Sequence, residues 1–223
     1  MKKLIFSLIA VAGLLTTQAQ IKEGSITYSV NFEGLPPEYA GMMKGSELKV
    51  YFKDKKSRSE FVNAFSSNTT ISDENNTTTL VDAMGQKYFY KMSKAEMEKE
   101  SKKNPEPKIT YLDDKKTIAG YECKKAVLET KNDKGEAQKT EVWYTDKIQG
   151  SSGGGRNQGQ FKNLKGAPLE FSMNQGQFKM QMTATNVSTS PVADAKFTAN
   201  TEGYTEKSYA EMKQMQKQGG GSN

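Results

Sequence analysis

The residue types that most often carry enzyme chemistry are scarce in this chain. It has no histidine in 223 residues, so neither a Ser-His-Asp nor a Cys-His arrangement can form. The single cysteine, Cys123, cannot build a thiolate metal site, and without a partner base it is expected to be a buried, inert thiol. We therefore predict that the protein is not an enzyme and holds no metal or other cofactor.

Carboxylates are the catalytic groups that remain. Three pairs of acids could supply the two carboxylates of a glycosidase: Asp73 with Glu74, Asp113 with Asp114, and Asp133 with Glu136. Each pair lies where the sequence predicts a turn, and acids in turns are usually solvated or bonded to their own backbone. The first pair precedes two asparagines, which adds oxygen ligands for calcium without the spacing of an EF-hand loop. We interpret all three pairs as turn residues.

The elements that must position any site are strands. Between Gly24 and Gly34 apolar and polar side chains alternate, which is typical of a strand with one buried face. The same period recurs in Leu48–Phe52, Tyr88–Met92, Leu169–Met173 and Phe178–Ala184. Weaker strands are predicted at Ser57–Phe65, Thr69–Ser72, Thr77–Ala83, Lys108–Leu112, Lys124–Lys131 and Thr140–Thr145. The pattern predicts a mainly β (α+β) fold with one large, curved antiparallel sheet.

Short helices are predicted on or across one face of this sheet. Ser93 and Ser208 each begin a capping-box sequence, with glutamate three residues later. We expect a helix over Ser93–Lys103 and a C-terminal helix over residues 204–217, followed by a disordered tail at 218–223. The sheet domain is expected to span residues 20–203. Within it, the Gly/Ser-rich Gly150–Gly159 segment has the composition of a flexible loop.

The first nineteen residues have the three parts of a secretory signal. Lys2 and Lys3 precede an apolar run from Leu4 to Leu15, and the small residue Ala19 follows. The run is too short to span a bilayer, and no cysteine follows it for lipid attachment. We expect cleavage after Ala19 and a soluble periplasmic or secreted protein with no integral membrane segment. Its scattered basic residues argue against a nucleic-acid partner.

One face of the predicted sheet is rich in aromatic and methionine side chains. Methionine adapts its shape easily, so such a face could form a concave lining for an apolar ligand. The candidate ligand-binding residues are Tyr28, Phe52, Tyr90, Met92, Phe171, Phe178 and Met180. The alternative is a closed core covered by the helices, in which the methionines fill gaps. The pattern leaves both interpretations open.

Two segments carry a resemblance to a known group of proteins. Thr117–Ala126 contains the run Ile-Ala-Gly-Tyr-Glu-Cys-Lys-Lys-Ala, Trp143–Ile148 follows, and Lys165–Phe171 reads Lys-Gly-Ala-Pro-Leu-Glu-Phe. This arrangement resembles uncharacterised Gram-negative envelope proteins of the domain-of-unknown-function group with a Gly-Leu-Pro-Gly-Leu-Ile (GLPGLI-like) strand. Here Ala167 stands in place of the leucine.

The resemblance implies a fold like that of the LolA and LolB lipoprotein carriers, a half-barrel with an apolar concave face. It names no catalytic residue. Together with the composition it favours an exported protein that binds a lipid or the acyl chain of a lipoprotein. The alternative function is a non-enzymatic envelope interaction or stress-response protein that binds another envelope protein.

Overall fold

A computed structural model describes residues 20–102, 106–131, 135, 137–149, 160–175 and 178–219. The first nineteen residues and the Gly150–Gly159 loop lie outside these ranges, so the predicted signal and loop remain predictions. The strands within them are β1 (Glu23–Glu33), β2 (Glu47–Lys53), β3 (Lys56–Val62), β4 (Ser66–Ser72), β5 (Asn76–Ala83), β6 (Gln86–Ser93), β7 (Lys108–Ile118), β8 (Tyr121–Lys131), β9 (Ala137–Thr145), β10 (Ala167–Gln175), β11 (Phe178–Ser188) and β12 (Thr205–Glu206). The helices are α1 (Pro37–Met43), α2 (Lys94–Ser101) and α3 (Tyr209–Gly219), with one 3₁₀ turn at Asp194–Phe197.

The strands form a single open sheet in the order β12-β6-β5-β4-β3-β2-β1-β11-β10-β9-β8-β7. Neighbouring strands are antiparallel except for β12, which pairs with β6 in parallel. β7 also contacts β11, although three strands lie between them in the sheet. The sheet therefore curls over one of its faces, the concave face, without closing, and the predicted mainly β half-barrel class is confirmed.

The half of the sheet made of β1, β2 and β7–β11, the core half, encloses a close-packed apolar cluster. Leu128, Val142 and Leu169 are fully buried in it. Phe161, from the segment that precedes β10, packs into the same cluster with its ring 4.7 Å from that of Phe171 in an edge-to-face arrangement. The interior of this half is therefore filled by side chains of the protein itself.

The other half, β3–β6 with β12, the outer half, carries different residues on its two faces. Its concave face holds buried hydroxyls that bond across strands, including Thr70 to Thr79 (3.3 Å) and Ser72 to Thr77 (2.9 Å). Its convex face holds the small apolar cluster Ile71, Leu80 and Phe89. In these two pairs, each hydroxyl has its hydrogen-bond partner on the neighbouring strand, so it can be buried at little cost.

Two coverings complete the outer half. Residues 192–204, which we call the strap, cross the convex face, where Phe197 and Tyr204 pack on the small apolar cluster. On the concave face, the Tyr209 ring of α3 lies 5.9 Å from Tyr90. Lys213 of α3 pairs with Glu100 of α2 at 3.0 Å, which ties the two helices together.

The structure differs from the sequence-based expectation in two places. Residues 204–208 are not helical: Thr205–Glu206 form β12, and the capping box closed by Ser208 and Glu211 starts α3 at Tyr209. A two-residue parallel strand leaves no alternation in the sequence, which is why it was missed. Asp113 and Asp114 lie inside β7 rather than in a turn, at an irregularity between Tyr111 and Lys115. The acids are accommodated because β7 is an edge strand.

Candidate functional site

All seven predicted ligand-binding residues lie on one face of the sheet. Phe52 shares the face of Tyr28 through the register of β1 with β2, and β11 places Phe178 and Met180 there through its pairing with β1. The residue register continues from β2 through β3, β4 and β5 to β6, and it places Tyr90 and Met92 on the same face. Phe171 lies opposite Met182 of β11, on the same face.

Three of the seven belong to the filled interior of the core half. Tyr28, Phe52 and Phe171 are buried, and Tyr28 and Phe171 meet edge to face at 5.8 Å. The Tyr28 hydroxyl donates to the carbonyl oxygen of Pro168 at 2.8 Å, and burial raises the pKa of this phenol above its usual range. These side chains support the face and offer no open surface to a ligand.

The other four are not among the buried residues of the core cluster. Phe178 and Met180 are partly buried at the far end of β11, with the Phe178 ring 6.0 Å from Phe32. Met92 is also partly buried, whereas Tyr90 is buried beneath Tyr209 of α3. The structure thus brings the seven to one face without gathering them around one opening.

An open cleft lies further along the same face, where β4, β5 and β6 meet α1 and α3. Its volume is about 350 Å³, in the range of small-molecule sites. None of the seven predicted residues lines it. Its apolar lining comes from Met42, Met43, Phe65, Ala83, Met84, Tyr88 and Met215, and its polar lining from Asn63, Ser66 and Gln86. We call it the methionine cleft.

The rim of the methionine cleft exposes large apolar side chains. Met84, in the turn between β5 and β6, is 80% exposed, and Phe65, in the turn between β3 and β4, is 52% exposed. The two turns touch, because the backbone N–H of Met84 donates to the carbonyl of Phe65 at 3.4 Å. An apolar ligand in the cleft would cover side chains that water covers in the free protein.

Hydrogen bonds of the Asn63 side chain hold the β3–β4 turn of the rim in place. The side-chain oxygen of Asn63 accepts hydrogen bonds from the backbone N–H groups of Phe65 and Ser66, both at 2.9 Å. Its amide nitrogen lies 3.6 Å from the sulfur of Met43, which connects the β3–β4 turn with α1. The cleft wall is therefore fixed by hydrogen bonds while its apolar surface stays open.

The structure describes two of the three acidic pairs that the sequence offers as candidate catalytic or metal-binding groups. In the turn after β4, Asp73 accepts hydrogen bonds from the backbone N–H groups of Asn75 and Asn76 at 2.7 and 2.8 Å, as a turn residue does. Asp133 and Glu136 lie outside the described residues. Within the described ranges, no group of three histidine, cysteine, aspartate or glutamate side chains could hold a metal ion.

Burial raises the pKa of the Cys123 thiol to about 11, so it stays protonated at neutral pH.

Several residues of the segments that carry the family resemblance have structural roles in the sheet. Gly120 lies at φ 83° in the turn between β7 and β8, and a Cβ on Gly166 would collide with the carbonyl oxygen of Thr145. Trp143 faces outward between two lysines, with Lys116 Nζ 4.4 Å and Lys125 Nζ 5.8 Å from its ring. These residues shape the sheet and its outer surface.

Comparisons with known proteins assign no family. No family model matches the chain, and no curated protein does. Among the solved structures that match, two are covered over most of their length. The Mycobacterium tuberculosis lipoprotein LppX has 10% sequence identity, a TM-score of 0.36 and coverage of 76% of this chain and 88% of its own. LprF from Mycobacterium bovis has 10% identity, a TM-score of 0.28 and coverage of 77% and 86%. These likenesses are too distant to support a functional assignment.

No helix in the described part of the chain is both long and apolar enough to cross a membrane.

The residues of the methionine cleft were not found from the sequence, because α1 and the turns carry no strand alternation. One signal was available at Met84-Gly85. Two-residue hairpin turns with positive φ favour asparagine before glycine, and here a methionine occupies φ 51°.

Proposed function

We propose that this protein binds the acyl chain of a lipid or lipoprotein in the methionine cleft, as an exported protein of the periplasm or the medium. The observation that carries the proposal is the exposed apolar rim formed by Phe65 and Met84. Met84 departs from what its turn favours and is almost fully exposed, so neither local backbone preference nor burial in the core explains it. Covering such a surface with hydrocarbon is favourable.

The composition of the cleft suits a flexible chain better than a rigid ring. Four of its apolar residues are methionines, which come from α1, the β5–β6 turn and α3. Methionine has three rotatable bonds, so a wall of this kind adjusts to hydrocarbons of different length and unsaturation. The few polar groups at Asn63, Ser66 and Gln86 would meet the ester or carboxylate end of the ligand.

The seven residues predicted from the sequence enter the proposal in two roles. Met92, Phe178 and Met180 are partly exposed and stay candidates for direct contact with a chain that extends beyond the cleft. Tyr28, Phe52, Tyr90 and Phe171 are buried and would act by supporting the face.

Binding of cis-parinaric acid, a naturally fluorescent fatty acid, tests the proposal. Met42→Gln and Met215→Gln place polar groups in the cleft wall, and each should weaken binding about five- to thirtyfold, since about 1–2 kcal/mol of apolar contact is lost. Leu112→Gln is the matched control, because Leu112 is an exposed apolar residue on the opposite edge strand β7. Equal affinity in all variants, with no lipid recovered by mass spectrometry from protein purified from its host, would refute the proposal.

The same rim is also compatible with the alternative function, an envelope interaction protein. Exposed Phe65 and Met84 could contact another envelope protein instead of an acyl chain. A pull-down from the periplasm separates the two functions. A stable protein partner that is lost in Met84→Ser, together with unmeasurable fatty-acid binding, would favour the interaction protein.

A further inference from the structure

A second cleft lies on the opposite, convex face, between the strap and the outer half of the sheet. Its volume is about 470 Å³. The floor is formed by Arg58, Thr69 and Leu80 from three adjacent strands. The strap supplies the walls: Ala193, Ala195, Lys196, Thr198, Asn200 and Tyr204. We call it the strap cleft; it shares no residue with the methionine cleft.

The walls of the strap cleft are fixed on both sides. At the start of the strap, the backbone N–H of Val192 donates to Glu23 at 2.8 Å, and Lys53 lies 3.2 Å from Asp194. Further along, Phe197 and Tyr204 pack on the apolar cluster of the sheet. A cleft held open between two anchored sides costs a ligand little ordering free energy.

The polar groups of this cleft include both donors and acceptors. Arg58 Nε donates to Glu60 at 2.5 Å and Nη1 donates to the Lys196 carbonyl at 3.2 Å, which leaves further guanidinium N–H groups for a ligand. Thr69 and Thr198 add hydroxyls. Asn200 accepts from the N–H of Glu202 at 3.1 Å and keeps its amide donors.

Both cationic side chains of this cleft, Arg58 and Lys196, already have partners within the protein. Glu60, which does not line the cleft, forms an ion pair with Arg58. The ammonium group of Lys196 lies over the Tyr51 ring at 4.8 Å from its centre. A ligand with many hydroxyls matches the surroundings better, because each hydroxyl both donates and accepts. From this arrangement we propose that the strap cleft binds a neutral monosaccharide.

Amide chemical shifts of the isotope-labelled protein test this proposal. The protein is titrated with glucose, galactose, mannose and N-acetylglucosamine, and separately with the anions glucuronate and inorganic phosphate. At least one sugar should shift the amides of Thr69, Ala195 and Thr198. Thr69→Val removes a hydroxyl and keeps the side-chain shape, and should weaken binding about three- to tenfold. Ala195→Phe, at an exposed strap position, should fill the cleft and abolish the shifts.

Asn31→Ala is the control, because Asn31 is an exposed residue of β1 outside the cleft. It should leave sugar binding unchanged. The proposal is overturned if none of the four sugars shifts these amides, or if only glucuronate or inorganic phosphate does. Fatty-acid binding is measured on the same variants, and its presence or absence bears only on the methionine cleft.

Discussion

Replacing Phe161 by alanine separates the filled core from the proposed binding cleft. Phe161 is buried, and its ring packs edge to face on Phe171 at 4.7 Å. Removing a buried phenyl ring costs about 3–5 kcal/mol in unfolding free energy, including the cavity and the lost aromatic pair. If unfolding in urea has a slope of about 2 kcal/mol per molar, the midpoint should fall by about 1.5–2.5 M.

Phe65→Ala is the matched change at the cleft rim. Half of the Phe65 side chain is already exposed, so the unfolding free energy should change by less than about 0.5 kcal/mol. Affinity for cis-parinaric acid should fall about three- to tenfold, because the apolar contact between the ligand and the Phe65 ring is lost. Phe161→Ala should leave that affinity unchanged under conditions where the variant is folded.

Urea unfolding can be followed by the fluorescence of the single tryptophan, Trp143, which lies on β9 of the core half. Two results would refute the reasoning. A near-neutral Phe161→Ala would mean that the interior of the core half is not close-packed. Weaker fatty-acid binding in Phe161→Ala, with Phe65→Ala unaffected, would move the ligand into the interior of the half-barrel.

Three further changes test the framework. Tyr28→Phe leaves the Pro168 carbonyl without its 2.8 Å donor and should lower the unfolding free energy by about 1–2 kcal/mol, measured in urea. Gly166→Ala forces a Cβ against the Thr145 carbonyl and should cost about 1–3 kcal/mol, whereas Gly41→Ala, in open space on α1, should be neutral or stabilising; equal melting temperatures would contradict this. Burial raises the pKa of the Cys123 thiol from 9.0 to about 11. Below about pH 9 the thiol is protonated in the folded and the unfolded protein, and its full contribution to the unfolding free energy is present. That contribution is lost between about pH 9 and pH 11, because the unfolded thiol ionises first. The stability difference between the protein and Cys123→Ala should therefore shrink by about 2–3 kcal/mol over that window, and a constant difference would show that the thiol titrates normally.

Strand alternation and capping sequences predicted much of this fold. The Tyr28 strand buries one residue in two from Gly24 to Val30, and the sequence shows the same period. The capping box at Ser93 begins α2 because its hydroxyl and the Glu96 carboxylate satisfy backbone groups only a few residues away. Local hydrogen bonds and side-chain direction depend on neighbours in the chain, so these elements could be read without knowledge of the tertiary structure.

The location of the clefts depended on tertiary structure alone. Alternation places Tyr28 and Phe178 on one face, but it does not show which part of that face is filled by Phe161 from a distant segment. The methionine cleft joins Met42, Phe65, Met84 and Met215, which are separated by up to most of the chain. The sequence by itself determined the chain's limited catalytic chemistry and the apolar face of its sheet. Only the packing of α1, α3 and the strap decided where that sheet remains open, because open space results from how separate elements meet.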